Sequence, residues 1–194
     1  MRPANVESNL YQYHLLQLQK QGFIIKQDNV YMLTGRGLSY ADRHSTTLKK
    51  TRSQPKLITV LFLANNDGEL LLVPKVRQPF MDTLNLPSGK IHLEETIAEA
   101  AAREFEEKLP HSIELNSLDH FGVSHITIKQ DDFVVSDYIA LLMRGTIDIT
   151  GELPPGSMLV NPVATQGLKL MPSVSELLEA YLSQCVFSEN VVQA

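Results

Sequence analysis

Residues 89 to 108 read GKIHLEETIAEAAAREFEEK, with a glycine, Glu95 six residues later and the pair Arg103-Glu104 eight beyond that. This segment constrains the chain more than any other, because it predicts a loop, a helix start, a helix face and a stop. The preceding LPSGK, with Pro87 and Gly89, breaks regular structure and predicts a loop, since glycine adopts backbone conformations that other residues avoid. Thr96 followed by Glu99 forms a capping box, in which hydroxyl and carboxylate each satisfy the other residue's backbone N–H. Pro110 ends the helix.

At about 100° per residue, Ile97, Ala100, Ala101 and Glu104 share one side of that helix, flanked by Phe105 and Lys108, with Glu107 at the edge. Glu104 therefore lies on the apolar face, where a carboxylate is costly unless a cation or hydrogen bonds compensate it. Oxygen-rich clusters of this kind suit Mg²⁺ or Mn²⁺, which also hold substrate phosphates. The same residues make i,i+4 pairs, Glu99 with Arg103, Arg103 with Glu107 and Glu104 with Lys108, that support a helix and nothing more. Spacing alone leaves both readings open.

Residues 86 to 110 resemble the Nudix box, Gly-x5-Glu-x7-Arg-Glu-U-x-Glu-Glu-x-Gly-U with U bulky and apolar, the signature of hydrolases that cleave a nucleoside diphosphate linked to another moiety. Gly89, Glu95, Arg103, Glu104, Phe105 and Glu107 fall on it in register. Lys108, Pro110 and His111 depart from it, standing where the pattern has a glutamate, a glycine and an apolar residue. Upstream, Ser88 replaces a common second glycine, and His92 and Glu94 replace a frequent Glu and Gly.

The resemblance implies an α/β/α sandwich with a mixed sheet over residues 56 to 187, and cleavage of a pyrophosphate bond by metal-activated water. Carried onto this sequence, Glu104 and Glu107 are the implied Mg²⁺ or Mn²⁺ ligands and, with Arg103, the catalytic residues. Glu95 braces the loop, and Gly89, Lys90 and Lys108 are the implied substrate-binding residues. Lys108 lies one turn after Glu104 on the same face, so its ammonium repels a metal there. As a point-charge phosphate binder, it can instead replace part of the metal's positive charge.

The flanking sequence fits that sandwich. Residues 57 to 64 and 69 to 76 are apolar runs joined by Asn65-Asn66-Asp67-Gly68, which predicts a hairpin. Residues 119 to 129 and 133 to 149 predict two further strands with Asp131-Asp132 at their turn, and residues 173 to 184 a helix capped by Ser173. Residues 188 to 194 read as a tail.

Residues 1 to 56 hold nine of the 17 Lys and Arg against three acids, a net +6, while the remainder is −11. The asymmetry divides the chain into two modules. The first, residues 1 to 43, predicts an amphipathic helix over 7 to 21 stopped by Gly22, a hairpin of residues 23 to 25 with 30 to 34, and a second helix from Gly37 to Arg43. This order resembles the later half of a winged helix-turn-helix domain. The polar, basic residues 44 to 55 read as a linker. DNA is a candidate partner through residues 1 to 56, with packing or dimerisation, including a homodimer, as the competing role for a basic arm.

No apolar run reaches the roughly 20 residues that span a bilayer, and Arg2 and Pro3 are followed by no apolar signal region. The single Cys185 forms no internal disulfide, so a cytoplasmic setting is expected. His92, in the box loop, is the histidine nearest the expected phosphate, and His111, His120 and His125 receive no role. Asp131, Asp132 and Asp137 are candidates for an acidic group outside the box, against solvated turn residues. Phe133 and Tyr138 are candidates for base stacking, against core residues. Two functions follow: a Mg²⁺-dependent pyrophosphohydrolase acting on a nucleotide derivative, and a weakly catalytic domain that binds such a ligand and reports it through the basic module as a transcriptional regulator or interaction module.

Overall fold

The structure is a computed structural model and describes residues 7–34, 36–37, 44–45, 50–51, 54–77, 79–110, 113–130 and 132–194. It divides into two compact units, Met1–Gln54 and Pro55–Ala194.

In the first unit, α1 (Ser8–Lys20) ends where Gly22 takes φ +74°, the left-handed turn that glycine adopts at no steric cost. The hairpin β1 (Ile24–Gln27) and β2 (Val30–Leu33) pairs Ile24 with Leu33 and Gln27 with Val30. Asp28 and Asn29, both at positive φ, make its two-residue turn. No residue of α1 is buried, although its leucines recur at helical spacing. The helix expected over Gly37 to Arg43 lies, past Gly37, outside the described residues. The stretch 44 to 55, expected as a linker, carries a short antiparallel ladder of β3 (His44–Ser45) and β4 (Lys50–Thr51).

The second unit is built on one mixed eight-stranded sheet. Its strands are β5 (Lys56–Ala64), β6 (Leu70–Pro74), β7 (Leu84–Asn85), β8 (Ser88–Lys90), β9 (Ile113–Gln130), β10 (Phe133–Ile149), β11 (Met158–Val160) and β12 (Phe187–Gln193). The order is β11-β6-β5-β10-β9-β12, with β7 on β6 and β8 on β5. β5 runs parallel to β10 and β12 parallel to β9, while the other pairs are antiparallel.

Two helices cover the sheet, α2 (Ile97–Lys108) and α3 (Val174–Leu182). The apolar run of β5 from Val60 to Ala64 follows from this, because a strand buried on both faces has no polar alternation. Val60 and Phe62 join Val174, Leu177 and Leu178 of α3 in one core, while Leu61 and Leu63 join Ala101 and Phe105 of α2 in the other. Each fully buried leucine stabilises the fold by about 1.5–3 kcal/mol. Phe62 stacks on Tyr181, with ring centroids 4.9 Å apart.

Three expectations change. LPSGK is not a free loop: Ser88–Lys90 is β8, pairing Gly89 with Thr59. Residues 188 to 194 are not a tail, since all but the last lie in β12, whose polar alternation hides a strand that buries only Val192. Ser173 precedes α3 but makes no side-chain cap bond; its hydroxyl accepts instead from Tyr138 Oη at 2.6 Å. Tyr138 is therefore a core residue, and burial pushes its phenol up to about 12. Among the described residues no helix is long and apolar enough to cross a membrane.

Candidate functional site

The capping box closes as the spacing predicts. Thr96 N–H donates to Glu99 Oε2 at 2.8 Å, and Glu99 N–H donates to Thr96 Oγ1 at 3.2 Å. At the other end Pro110 holds Leu109 extended, at φ −114° and ψ 142°, so α2 stops at Lys108. The buried face is Ala100, Ala101, Glu104 and Phe105, whereas Ile97 at the first turn is exposed.

Arg103 organises the loop before the helix. Its Nε and Nη2 donate to Oε1 and Oε2 of Glu95 at 2.7 and 2.9 Å, and Nη2 also reaches the Lys90 carbonyl at 3.0 Å. Glu95 Oε2 accepts the His92 N–H at 2.8 Å. The Arg103 bonds, followed by this backbone bond, hold the Glu95 carboxyl down at about 2 from an ordinary 4.5. Two carboxylates, Glu95 first and Glu104 second, raise the guanidinium above its ordinary value. Glu99 takes no part in this, because its carboxylate is spent on Thr96.

Glu104 is buried, with both oxygens committed to cations. Oε1 accepts from Arg103 Nη1 at 2.8 Å, and Lys108 Nζ lies 2.9 Å from Oε2. A Cβ on Gly89 would fall 1.6 Å from the carboxyl carbon of Glu104. Gly89 does not take positive φ, so the glycine serves close approach to the carboxylate rather than the unusual backbone expected from the sequence. Glu107 Oε2 stands 3.5 Å from Arg103 Nη1 and is mostly exposed.

These residues line a cleft of about 790 Å³ that also takes in Lys75, Arg77, Lys90, His92, Pro154, Pro155 and Ser157. Of the predicted site residues, Gly89, Lys90, Arg103, Glu104, Glu107 and Lys108 come together here, and Glu95 sits behind them as their brace. Five cationic side chains face two carboxylates along the lining. Lys75 and Arg77 escaped the sequence reading because they follow an apolar strand run. The signal was two basic residues in three directly after Pro74. Burial first, then Lys56 and Lys108, lower the Lys75 ammonium below its ordinary value.

Asp137 does not line the cleft: its Oδ1 is held by His125 Nε2 at 2.9 Å and Thr127 Oγ1 at 3.2 Å. His111 and Asp131 lie outside the described residues, as does the Phe133 side chain.

Of the two implied ligands, Glu107 keeps an exposed carboxylate on the cleft, but Glu104 as it stands does not fit a resident divalent cation. Mg²⁺ asks for one or two carboxylates with free oxygens, and here Glu104 offers both oxygens to cations while Lys108 occupies the next turn. Among the described residues, no three His, Cys, Asp or Glu side chains converge.

A family model described as the NUDIX domain matches residues 55–180. Among solved structures, the chain is similar to a MutT Nudix hydrolase from Burkholderia pseudomallei, at 22% identity and TM-score 0.53, covering 66% of this chain and 98% of that one. It is also similar to a MutT protein from Bacillus halodurans, at 17% identity and TM-score 0.53, covering 71% and 89%. A MutT protein from Methanosarcina mazei Go1 gives 18% identity and TM-score 0.53, covering 69% and 98%. At these identities the likeness speaks for the fold alone. A comparison with curated proteins finds no match.

Proposed function

Because this chain belongs to the Nudix family, we propose that its cleft binds the diphosphate of a nucleoside diphosphate derivative through the protein's own cations, with little or no hydrolysis. The observation that carries this reading is the clasp on Glu104, with Arg103 at 2.8 Å on one oxygen and Lys108 at 2.9 Å on the other. A carboxylate neutralised from two sides has little attraction left for a third cation. The surplus of positive charge along the cleft suits a phosphate chain, for which lysine acts as a point-charge partner and arginine as a fork.

In this arrangement Lys75, Arg77, Lys90 and Lys108 attract and hold the phosphate oxygens. Arg103 fixes the loop through Glu95, so the wall of the cleft is set before the ligand arrives. The basic N-terminal unit, with its helix and hairpin, is the part that would report occupancy to DNA or a partner; its support is the charge asymmetry.

A second reading, Mg²⁺- or Mn²⁺-dependent pyrophosphate cleavage, is supported by Glu104 and Glu107 standing in box register, with Glu107 exposed to the cleft. It requires Lys108 to leave Glu104. One experiment separates the two: nucleotide and phosphate release from a panel of nucleoside diphosphate derivatives with each metal, alongside calorimetric binding of the same panel in EDTA. Binding that persists in EDTA with no turnover supports the binding domain. Turnover that the Glu104→Gln variant loses overturns it in favour of the hydrolase.

A further inference from the structure

β8 lies between two adjoining cavities that share Lys75, Asn85, Ser88, Gly89 and Lys90 as lining. Its pairing sets Gly89 opposite Thr59, on the side of Glu104, and sets Ser88 and Lys90 opposite Val60 and Ile58, on the α3 side. On that second side lies a smaller chamber of about 170 Å³, lined by Lys56, Lys75, Lys90, Ser136 and Tyr138 above an apolar floor. Among the described residues, no aspartate or glutamate lines it. Its volume is below the roughly 300–1,000 Å³ of pockets that enclose a whole drug-sized ligand, and suits a single small group.

Three ammonium groups share this chamber without a carboxylate. Lys56 Nζ is aimed by a hydrogen bond to the buried Ser136 Oγ at 2.8 Å and sits 5.9 Å from the centroid of the Tyr138 ring. Among the described residues, neither Lys75 nor Lys90 has an ion-pair partner. The charge of Asp137 reaches Lys56, and Asp137 is already committed to His125 and Thr127. Burial and the neighbouring lysines hold both Lys56 and Lys75 below the ordinary lysine value. A cluster that repels itself in this way is relieved by an anion.

We infer that Lys56, Lys75 and Lys90 form a second anion subsite that takes one phosphoryl group, in the chamber that adjoins the diphosphate cleft along β8. The inference rests on the cleft being a phosphate site, because Lys75 and Lys90 line both cavities. The phosphoryl group has two sources, a further group on the same ligand or a free phosphate ion.

The test is calorimetry on the full chain in EDTA. Inorganic phosphate is titrated into protein already saturated with pyrophosphate, for the natural chain, for Lys56→Met, and for Lys169→Met as a control with the same charge change on an exposed residue. The expected result is saturable phosphate binding at one equivalent, weakened roughly tenfold or more in Lys56→Met and unchanged in the control. Circular dichroism and a pyrophosphate affinity equal to the natural chain's establish that Lys56→Met is folded.

Tripolyphosphate distinguishes the sources. If it displaces both pyrophosphate and phosphate, the group is carried on the ligand; if it displaces pyrophosphate alone, the subsite takes the free ion. Phosphate that fails to bind the saturated protein, or binds Lys56→Met and the natural chain equally, overturns the inference. Failure of pyrophosphate to bind overturns the reading of the cleft, while phosphate titrated into the free protein still tests the Lys56 dependence.

Discussion

The ammonium of Lys108 lies 2.9 Å from Oε2 of Glu104, one helical turn along the same face. The resemblance of the sequence to the Nudix box leads one to expect two metal-binding glutamates here. The structure joins one of them to a lysine and an arginine instead, and the character of the cleft follows from that exchange of sign.

Replacing Lys108 with Glu removes the competing cation and adds a carboxylate beside Glu104. Mn²⁺ binding, followed by electron paramagnetic resonance, is expected to tighten at least about tenfold relative to the natural chain. Equal affinity in the two proteins would show that this lysine does not block metal.

A methyl group on Gly89 would fall 1.6 Å from the Glu104 carboxyl carbon, so the Glu104 side chain must shift and give up its bonds to Arg103 and Lys108. Gly89→Ala is therefore expected to cost about 1–3 kcal/mol, read as a lower denaturation midpoint. The double variant Gly89→Ala/Glu104→Ala should recover much of that loss, because the two sites share one contact. Simple additivity of the two losses would refute the contact.

The Glu95 carboxyl is held at about 2 by Arg103, below its ordinary 4.5. A depressed carboxyl stabilises the fold above its unfolded value and loses that contribution as pH falls through its folded one. Stability is thus expected to decline between about pH 4.5 and 2, and the Glu95→Gln variant should be flatter across that window. Thermal melts in acid buffers read the difference, and parallel curves for the two proteins would contradict it.

His125 joins three strands, with Nε2 2.9 Å from Asp137 on β10 and Nδ1 3.1 Å from Glu189 on β12. Asp137 first and Glu189 second raise its pKa above the ordinary 6.5. A raised histidine stabilises the fold below its unfolded value and loses that contribution as pH climbs through its folded one. Hydrogen exchange in β12 is expected to rise, beyond its intrinsic pH dependence, as pH passes upward from 6.5, and this extra rise should disappear in His125→Gln. An identical pH response in that variant would remove the histidine from the account.

Much of the site was legible because it is local. A capping box, a helix face and a proline stop depend on residues within four positions of each other, so Thr96, Glu99, Glu104 and Pro110 could be placed from spacing. The strands of the sheet were legible where they are buried on both faces, as in residues 59–63 of β5. β12 was not, because a half-exposed edge strand alternates too weakly to stand out from a tail.

The sequence by itself determined the family, the α2 helix with its charged face, and the division into a basic and an acidic part, since each is a matter of residue type at fixed separation. The tertiary structure decided how those charges are used. Only folding brings Gly89 against Glu104, Arg103 back onto Glu95, and Lys56, Lys75 and Lys90 from three strands or their ends into one chamber. Charges interact through distance and dielectric, and neither is set by position along the chain.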